Sequence, residues 1–428
     1  MSHGPALVRA LNTRRLAVSI FNTVVGAGIF VLPAIVAGLA GPSAPFAYIA
    51  CTVAMLFVAL SFAAAGSRIP AAGGAYVYVG DALGPWAASV TGVLQWLSDT
   101  LASASVAAAF VSAVALYAPA AGTGIGRIAL LTGVLGGLAA INIRGIRQSS
   151  TFLDAITVAK LTPLLLFVLM GIGALVSGIE TPAVPSADVL GRTTLQLLFA
   201  FAGVESALAL SGEVEHPARA IPRAVIAALG GISLLYLLVH LVASTALGSD
   251  LASTSAAPLS AAGARLGGAW LRQTMLAGTA ISMFGYLSAL STATPRLLYS
   301  MGARGLLPSP LAAVHPVFST PWIAILTQAT LVAVVASSGS FGVLAPMASV
   351  AILTVYLTVC ASVMPLQRRY RAADFFTVPS AVPIAGLVVL VWMLANATWK
   401  ELAIESAVIL VASLVFLITR SRPGARAS

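Results

Sequence analysis

The chain is predicted to be an all-α integral membrane protein of twelve transmembrane helices, with the first and sixth spans discontinuous. Three observations predict this. Of its 428 residues 59% are hydrophobic and only 8% charged, with a mean hydropathy of +1.02, whereas about a quarter of the residues of a soluble domain are charged. Apolar stretches of the roughly 20 residues that a helix needs to cross ~30 Å of hydrocarbon recur along the whole sequence with only short gaps. Two of these stretches are broken near the middle by glycine, as Gly26-Ala27-Gly28-Ile29-Phe30 and as Phe201-Ala202-Gly203-Val204-Glu205-Ser206.

Taken in order, the spans cover 16–39, 44–65, 85–112, 126–142, 151–177, 193–211, 223–247, 269–293, 321–338, 343–365, 378–396 and 402–420. The first opens after Arg14 and Arg15 and carries the first glycine break. Between the second and third, Arg68-Ile69-Pro70-Ala71-Ala72-Gly73-Gly74-Ala75-Tyr76-Val77-Tyr78 breaks the backbone with Pro and paired Gly, and a mere connecting loop has no need of its two tyrosines. The fourth span is the shortest of the first five, and the fifth holds Lys160. The sixth carries the second break and is followed by 213–223, where Pro222 suits the first turn of the seventh span. An Ala/Ser/Gly-rich outer loop, 249–268, leads to the eighth, and a basic amphipathic stretch, 295–308, follows it.

Charge placement supports the count, since Arg and Lys accumulate in short cytoplasmic loops. With twelve spans and both termini inside, sixteen of the 22 basic residues are cytoplasmic, five lie outside and Lys160 sits within a span. The net charge of +10 is therefore mostly a topology signal, because a nucleic-acid face needs a soluble basic surface. Arg9, Arg14 and Arg15 precede an apolar run too long for the 7–15-residue core of a signal peptide, so 1–39 is expected to stay in the mature protein. Cys51 and Cys360 fall within spans and offer neither a disulfide framework nor a zinc site.

A membrane helix satisfies its backbone internally, and irregular backbone is tolerated at membrane depth only where it lines a cavity or is buried in protein. The two breaks lie about 175 residues apart in corresponding positions of two halves, the pattern of discontinuous helices that build substrate sites near the bilayer midplane. The sequence thus points to a transporter, with no cofactor. A channel needs rings of carbonyls or charges along a continuous pore, whereas the polar groups here converge on one depth. An intramembrane enzyme needs a Ser/His pair, a metal-binding cluster or an Asp dyad, and His3, His216, His240 and His315 supply none of these.

The motifs together, Gly26 to Phe30, Pro70 with Gly73-Gly74-Ala75-Tyr76, Phe201 to Glu205, 213–222 and 296–308, resemble the amino acid-polyamine-organocation transporter superfamily over residues 16–321. Gly203-Val204-Glu205-Ser206-Ala207 looks most like its basic amino acid/polyamine antiporter branch. The resemblance implies a LeuT-type fold in one transporter domain: two inverted five-helix repeats, about 16–177 and 193–365, and two peripheral helices, about 378–420. It also implies a substrate site in which Val24, Gly26, Ala27, Gly28 and Ile29 surround the α-carboxylate. Phe199, Ala200, Phe201, Ala202 and Gly203 would meet the α-ammonium and shape the pocket. The physics agrees, since a half-helix that begins after a break presents unsatisfied N–H groups at a positive dipole end, and one that ends before a break presents carbonyls.

Charges inside spans are functional hypotheses by default. Glu205 lies about twelve residues, or ~18 Å, into its span, and the resemblance gives it a gating or protonation role; the competing reading is a carboxylate satisfied by N–H groups freed at the break. Asp99 is similarly deep and matches no family motif, His240 reads as a hydrogen-bonded core histidine, and Asp154 and Glu405 are expected to reach water near span ends. Two positions depart from the antiporter branch. Leu290 stands where a span-8 aromatic would hold a cationic side chain, with Phe284 and Tyr286 offset by six and four residues. Lys160 resembles the family's proton-coupled or sodium-independent carriers of neutral amino acids, in which a span-5 lysine stands in for a bound cation.

The expectation is a secondary transporter of small or aliphatic neutral amino acids, proton-coupled or exchanging, with Lys160 and Glu205 as coupling residues; cationic amino acids or polyamines are the runner-up. Its expected partners are the amino acid, protons and the lipid bilayer of a bacterial cell membrane, with a homodimer allowed. The topology is checked by cysteine labelling. Cysteines placed at Arg147 and Arg369 should react only from the cytoplasm and one at Lys400 only from outside; labelling of either arginine position from outside rejects twelve spans with inside termini.

Overall fold

The computed structural model describes residues 12–69, 74–145, 150–177, 183–208, 214–254, 257–372 and 375–420. Pro70, Gly73, Arg9, Arg147 and Glu213 fall outside them, as does the side chain of Asp154. Among the described residues the fold is all-α, and every one of the twelve predicted spans coincides with helix.

Span 1 is two helices, α1 (Thr13–Val24) and α2 (Gly28–Ala40), and span 2 is α3 (Ala44–Gly66). Asn12 caps α1 by accepting the Arg15 N–H at 3.0 Å, as short polar side chains do at N-caps. A short helix, α4 (Ala75–Leu83), then leads into α5 (Pro85–Ala115), α6 (Gly124–Ile143) and α7 (Ser150–Ser177). Span 6 is α8 (Ala187–Phe201) and α9 (Val204–Leu208). Beyond it lie α10 (Pro217–Leu247), α11 (Asp250–Ser253), α12 (Pro258–Ala303), α13 (Trp322–Ser338), α14 (Phe341–Arg369), α15 (Ala381–Leu394) and α16 (Trp399–Arg420).

Two expectations change here. The 249–268 segment, a loop by composition, is mostly helix: it contains α11 and the first turns of α12, which bends at Gly268 (φ 71°), a conformation open to glycine and strained for other residues. Helix α10 begins at Pro217 rather than near Pro222, since the turn before it is made by His216 in the left-handed region (φ 46°). The tyrosines that a mere connection between spans 2 and 3 would not need, Tyr76 and Tyr78, sit on α4 and are buried, in line with the sequence reading. Tyr76 donates to Ser300 Oγ at 3.1 Å and lies under the Arg304 guanidinium, so α4 clamps the end of α12. That explains why both motifs carry aromatic and basic residues.

Two helix groups enclose the centre. In one, α1 packs on α10, α2 and α3 pack on α8, and α10 packs on α3; in the other, α5, α6, α12 and α13 pack together, with α14 along α5. Polar bonds inside each group replace the hydrophobic drive that helices in lipid lack: Thr52 to Ser233 at 2.6 Å between α3 and α10, and Trp96 Nε1 to Gln328 Oε1 at 2.8 Å between α5 and α13. Helices α15 and α16 lie outside, and α16 is mostly exposed, as a lipid-facing helix is. Glu405 was expected to reach water and does not. It is buried on α16 and bonded to Thr354 of α14, because that face of α16 is the one that packs inward.

Candidate functional site

The site is built by the two breaks, which the fold brings together. Helix α1 stops at Val24, and the chain runs extended through Val25 before α2 starts at Gly28. Helix α8 stops at Phe201, followed by an extended Ala202 and by Gly203 at φ 114°, where a Cβ would meet the Thr23 carbonyl oxygen at 2.6 Å. Only glycine satisfies both that backbone and that approach. Gly28 is a packing position: a Cβ there would meet the Ala200 Cα at 3.0 Å. The glycines thus let the two broken spans touch.

Three of the four freed backbone ends have a side-chain partner among the described residues. The Tyr236 hydroxyl on α10 donates to both the Val24 carbonyl (3.1 Å) and the Ala200 carbonyl (3.0 Å), which ties the two breaks together. The Lys160 ammonium on α7 donates to the Asn22 carbonyl at 2.7 Å. A cation at a helix C-terminus also meets the negative end of the dipole. Glu205 does the converse in the first turn of α9: both its oxygens accept the Gly203 N–H at 3.0 Å, and Tyr356 on α14 donates to Oε2 at 2.7 Å. Glu205 therefore closes its own break, as the competing reading of this residue held.

Between the breaks lies a cavity of about 280 Å³, bounded by α1, α5, α7, α8, α9, α12 and α14. Of the predicted residues, Gly26, Phe199, Ala202, Gly203, Glu205, Leu290 and Lys160 line it. The others surround it without lining it: Ala27 and Ile29 are buried in the core, Val24 and Ala200 give their carbonyls to Tyr236, and the Phe201 ring packs on Tyr236 at 5.3 Å. Asp99 lines the cavity as well, with Thr294 donating to its Oδ2 at 3.3 Å. His240 lies elsewhere, buried with its ring 5.3 Å from Tyr48.

On the α2/α8 side, Phe199 lines the cavity and meets Phe341 of α14 edge-on at 5.2 Å. On the opposite side, lining residues Ser206, Ala289 and Ala293 are exposed, so the mouth opens toward the end of the bundle that carries the start of α1. Sequence reading set Tyr286 aside as offset from the span-8 position, yet its ring faces Gly26 within the cavity. The signal was available, since four residues before Leu290 is one helical turn and the same face. Phe284, six before, is 37% exposed and points away.

This geometry belongs to a membrane transporter with broken helices around a central cavity. The amino acid permease family profile matches residues 11–418, and the chain belongs to that family and so to the superfamily its motifs resemble. It is similar to the methylthioribose transporter of Bacillus subtilis (strain 168), 28% identical over 433 residues that cover 95% of this chain and 93% of the relative. An uncharacterized transporter of Mycobacterium tuberculosis (strain ATCC 25618 / H37Rv) is 31% identical over 374 residues, covering 86% and 81%. The serine/threonine exchanger SteT of Bacillus subtilis (strain 168) is 28% identical over 326 residues, covering 73% of each.

The tie between the breaks is checked by two tyrosine variants. Tyr236→Phe strips a partner from two buried carbonyls and should lower the stability of the purified protein by about 1–3 kcal/mol. Tyr48 is equally buried and its hydroxyl has no partner among the described residues, so Tyr48→Phe should leave the melting temperature unchanged or higher. Equal melting of the two variants contradicts the assignment.

Proposed function

We propose that this protein is a secondary active transporter that moves small amino acids by alternating access, without sodium. The observation that carries the reading is the Lys160 ammonium on the Asn22 carbonyl at the broken end of α1. A cation is thereby built into the wall of the cavity, where a sodium-dependent carrier would recruit one from solution. In this reading the N–H groups at the start of α2, from Gly26 to Gly28, receive the α-carboxylate, and carbonyls at the end of α8, around Ala202, receive the α-ammonium. Val25, Ala102, Leu290 and Ile352 supply an apolar wall that suits a small side chain. The serine/threonine exchanger among the relatives supports small amino acids as cargo.

Alternating access follows from the two helix groups. The group of α1, α2, α3, α8 and α10, with helices from both repeats (about 16–177 and 193–365), would rock against the group of α5, α6, α12, α13 and α14, with α15 and α16 peripheral, while the Phe199–Phe341 contact opens and the α9 side closes. With the termini in the cytoplasm, the mouth in this structure is the inner one. Lys160 then couples substrate to motion by holding α1 against α7 in one state and releasing it in the other, with protons as the exchanging ion; Glu205 holds the second break in the same way.

Uptake by proteoliposomes tests the reading. Wild-type uptake should be the same with sodium or choline as the external cation. Lys160→Ala, which removes a charge-assisted hydrogen bond worth about 1.5–3 kcal/mol, should lower the rate at least about tenfold. A sodium requirement in the wild type, or a wild-type rate in the alanine variant, overturns it.

A further inference from the structure

One wall of the cavity is polar in a way that an aliphatic substrate leaves unused. Asp99 lies about 14 residues, or ~21 Å, into α5, is only partly enclosed and faces the cavity. Thr294 donates to one of its oxygens, and no ion pair links it to Lys160, the cation of the same cavity. Its situation differs from that of the two other charges. Lys160 is engaged by a helix-end carbonyl, and Glu205 by a helix-end N–H and a tyrosine. Ser282 on α12 and Ser349 on α14, each 1% exposed, line the same cavity, and their hydroxyls have no partner among the described residues.

While the cavity is open, water can satisfy these three groups. Alternating access must pass through a closed state in which water is expelled, and a buried polar group left bare then costs its full desolvation. A valine or leucine side chain offers nothing to replace the water. A side chain that ends in a donor meets Asp99, which only accepts when ionised, and the serine hydroxyls can donate or accept around it. We infer that Asp99, Ser282 and Ser349 form a distal subsite that selects amino acids whose side chain ends in a hydrogen-bond donor, a hydroxyl or an ammonium, over aliphatic isosteres. The inference rests on the proposed amino acid transport and names the side-chain end of the same site. A site built to pair a substrate donor rejects the analogue that lacks it far more strongly than an apolar pocket rejects a changed methyl group.

Binding to the purified full-length protein tests it with two isosteric pairs, threonine against valine and 2,4-diaminobutyrate against norvaline. At least one donor-bearing member should bind about tenfold or more tighter than its isostere. Asp99→Ala and Ser349→Ala should each shrink that ratio, the former to within about threefold of unity. Asp99→Asn tells the two donors apart, since its amide oxygen still accepts from a hydroxyl but no longer balances an ammonium. If Asp99→Ala does not fold, the wild-type ratio with those of Asp99→Asn and Ser349→Ala decides the matter. Equal affinity for the isosteres, or a ratio that all the variants keep, overturns the subsite while amino acid binding leaves the proposed function standing. Failure of every amino acid to bind overturns both.

Discussion

The Tyr236 hydroxyl reaches carbonyls in the last turns of two different interrupted helices, Val24 of α1 and Ala200 of α8, from a third helix. Peptide groups freed in the bilayer core have no water to turn to, so interrupted helices persist only where such partners exist. This contact fixes both breaks at one depth and side by side. The close approach of Gly203 to Thr23 and of Gly28 to Ala200 is its steric counterpart. The cavity is what remains between the breaks once their backbone has been satisfied from the rear.

The charges follow the same logic. Lys160 sits at a helix C-terminus and Glu205 at a helix N-terminus, each against the dipole end of opposite sign. These two ends are therefore closed to substrate. The two ends still facing one another, the start of α2 and the end of α8, have the polarity to receive a carboxylate and an ammonium held in a zwitterion. In the proposed reading, side-chain selection falls to groups on α5, α12 and α14, which belong to other helices and can diverge without disturbing the breaks.

Much of this was legible in the sequence, because membrane constraints are severe and local. The twelve spans followed from length and hydropathy, and both breaks followed from glycines interrupting apolar runs. Lys160, Glu205 and Leu290 were found as a lysine, a carboxylate and a register position, and all three line the cavity. The partners that hold the breaks were not legible, since Tyr236 and Tyr356 are ordinary aromatics in apolar helices and meet them only through tertiary packing. Phe201 was expected to shape the pocket, and its ring instead packs on Tyr236, because a motif marks the break without saying which way each residue faces. The 249–268 segment misled through composition: Ala and Ser form helix readily once packed against a bundle, and within α12 it is Gly268 that leaves helical geometry.

The central claim is that the substrate sits between the two breaks. A structure of the protein with an amino acid bound tests it most directly. The account predicts the α-carboxylate within hydrogen-bond distance, about 2.7–3.2 Å, of the N–H groups at the start of α2, with the side chain directed toward Asp99. An amino acid bound elsewhere, for instance in the groove between α2, α3 and α10 beside His240, with the central cavity empty, would contradict it.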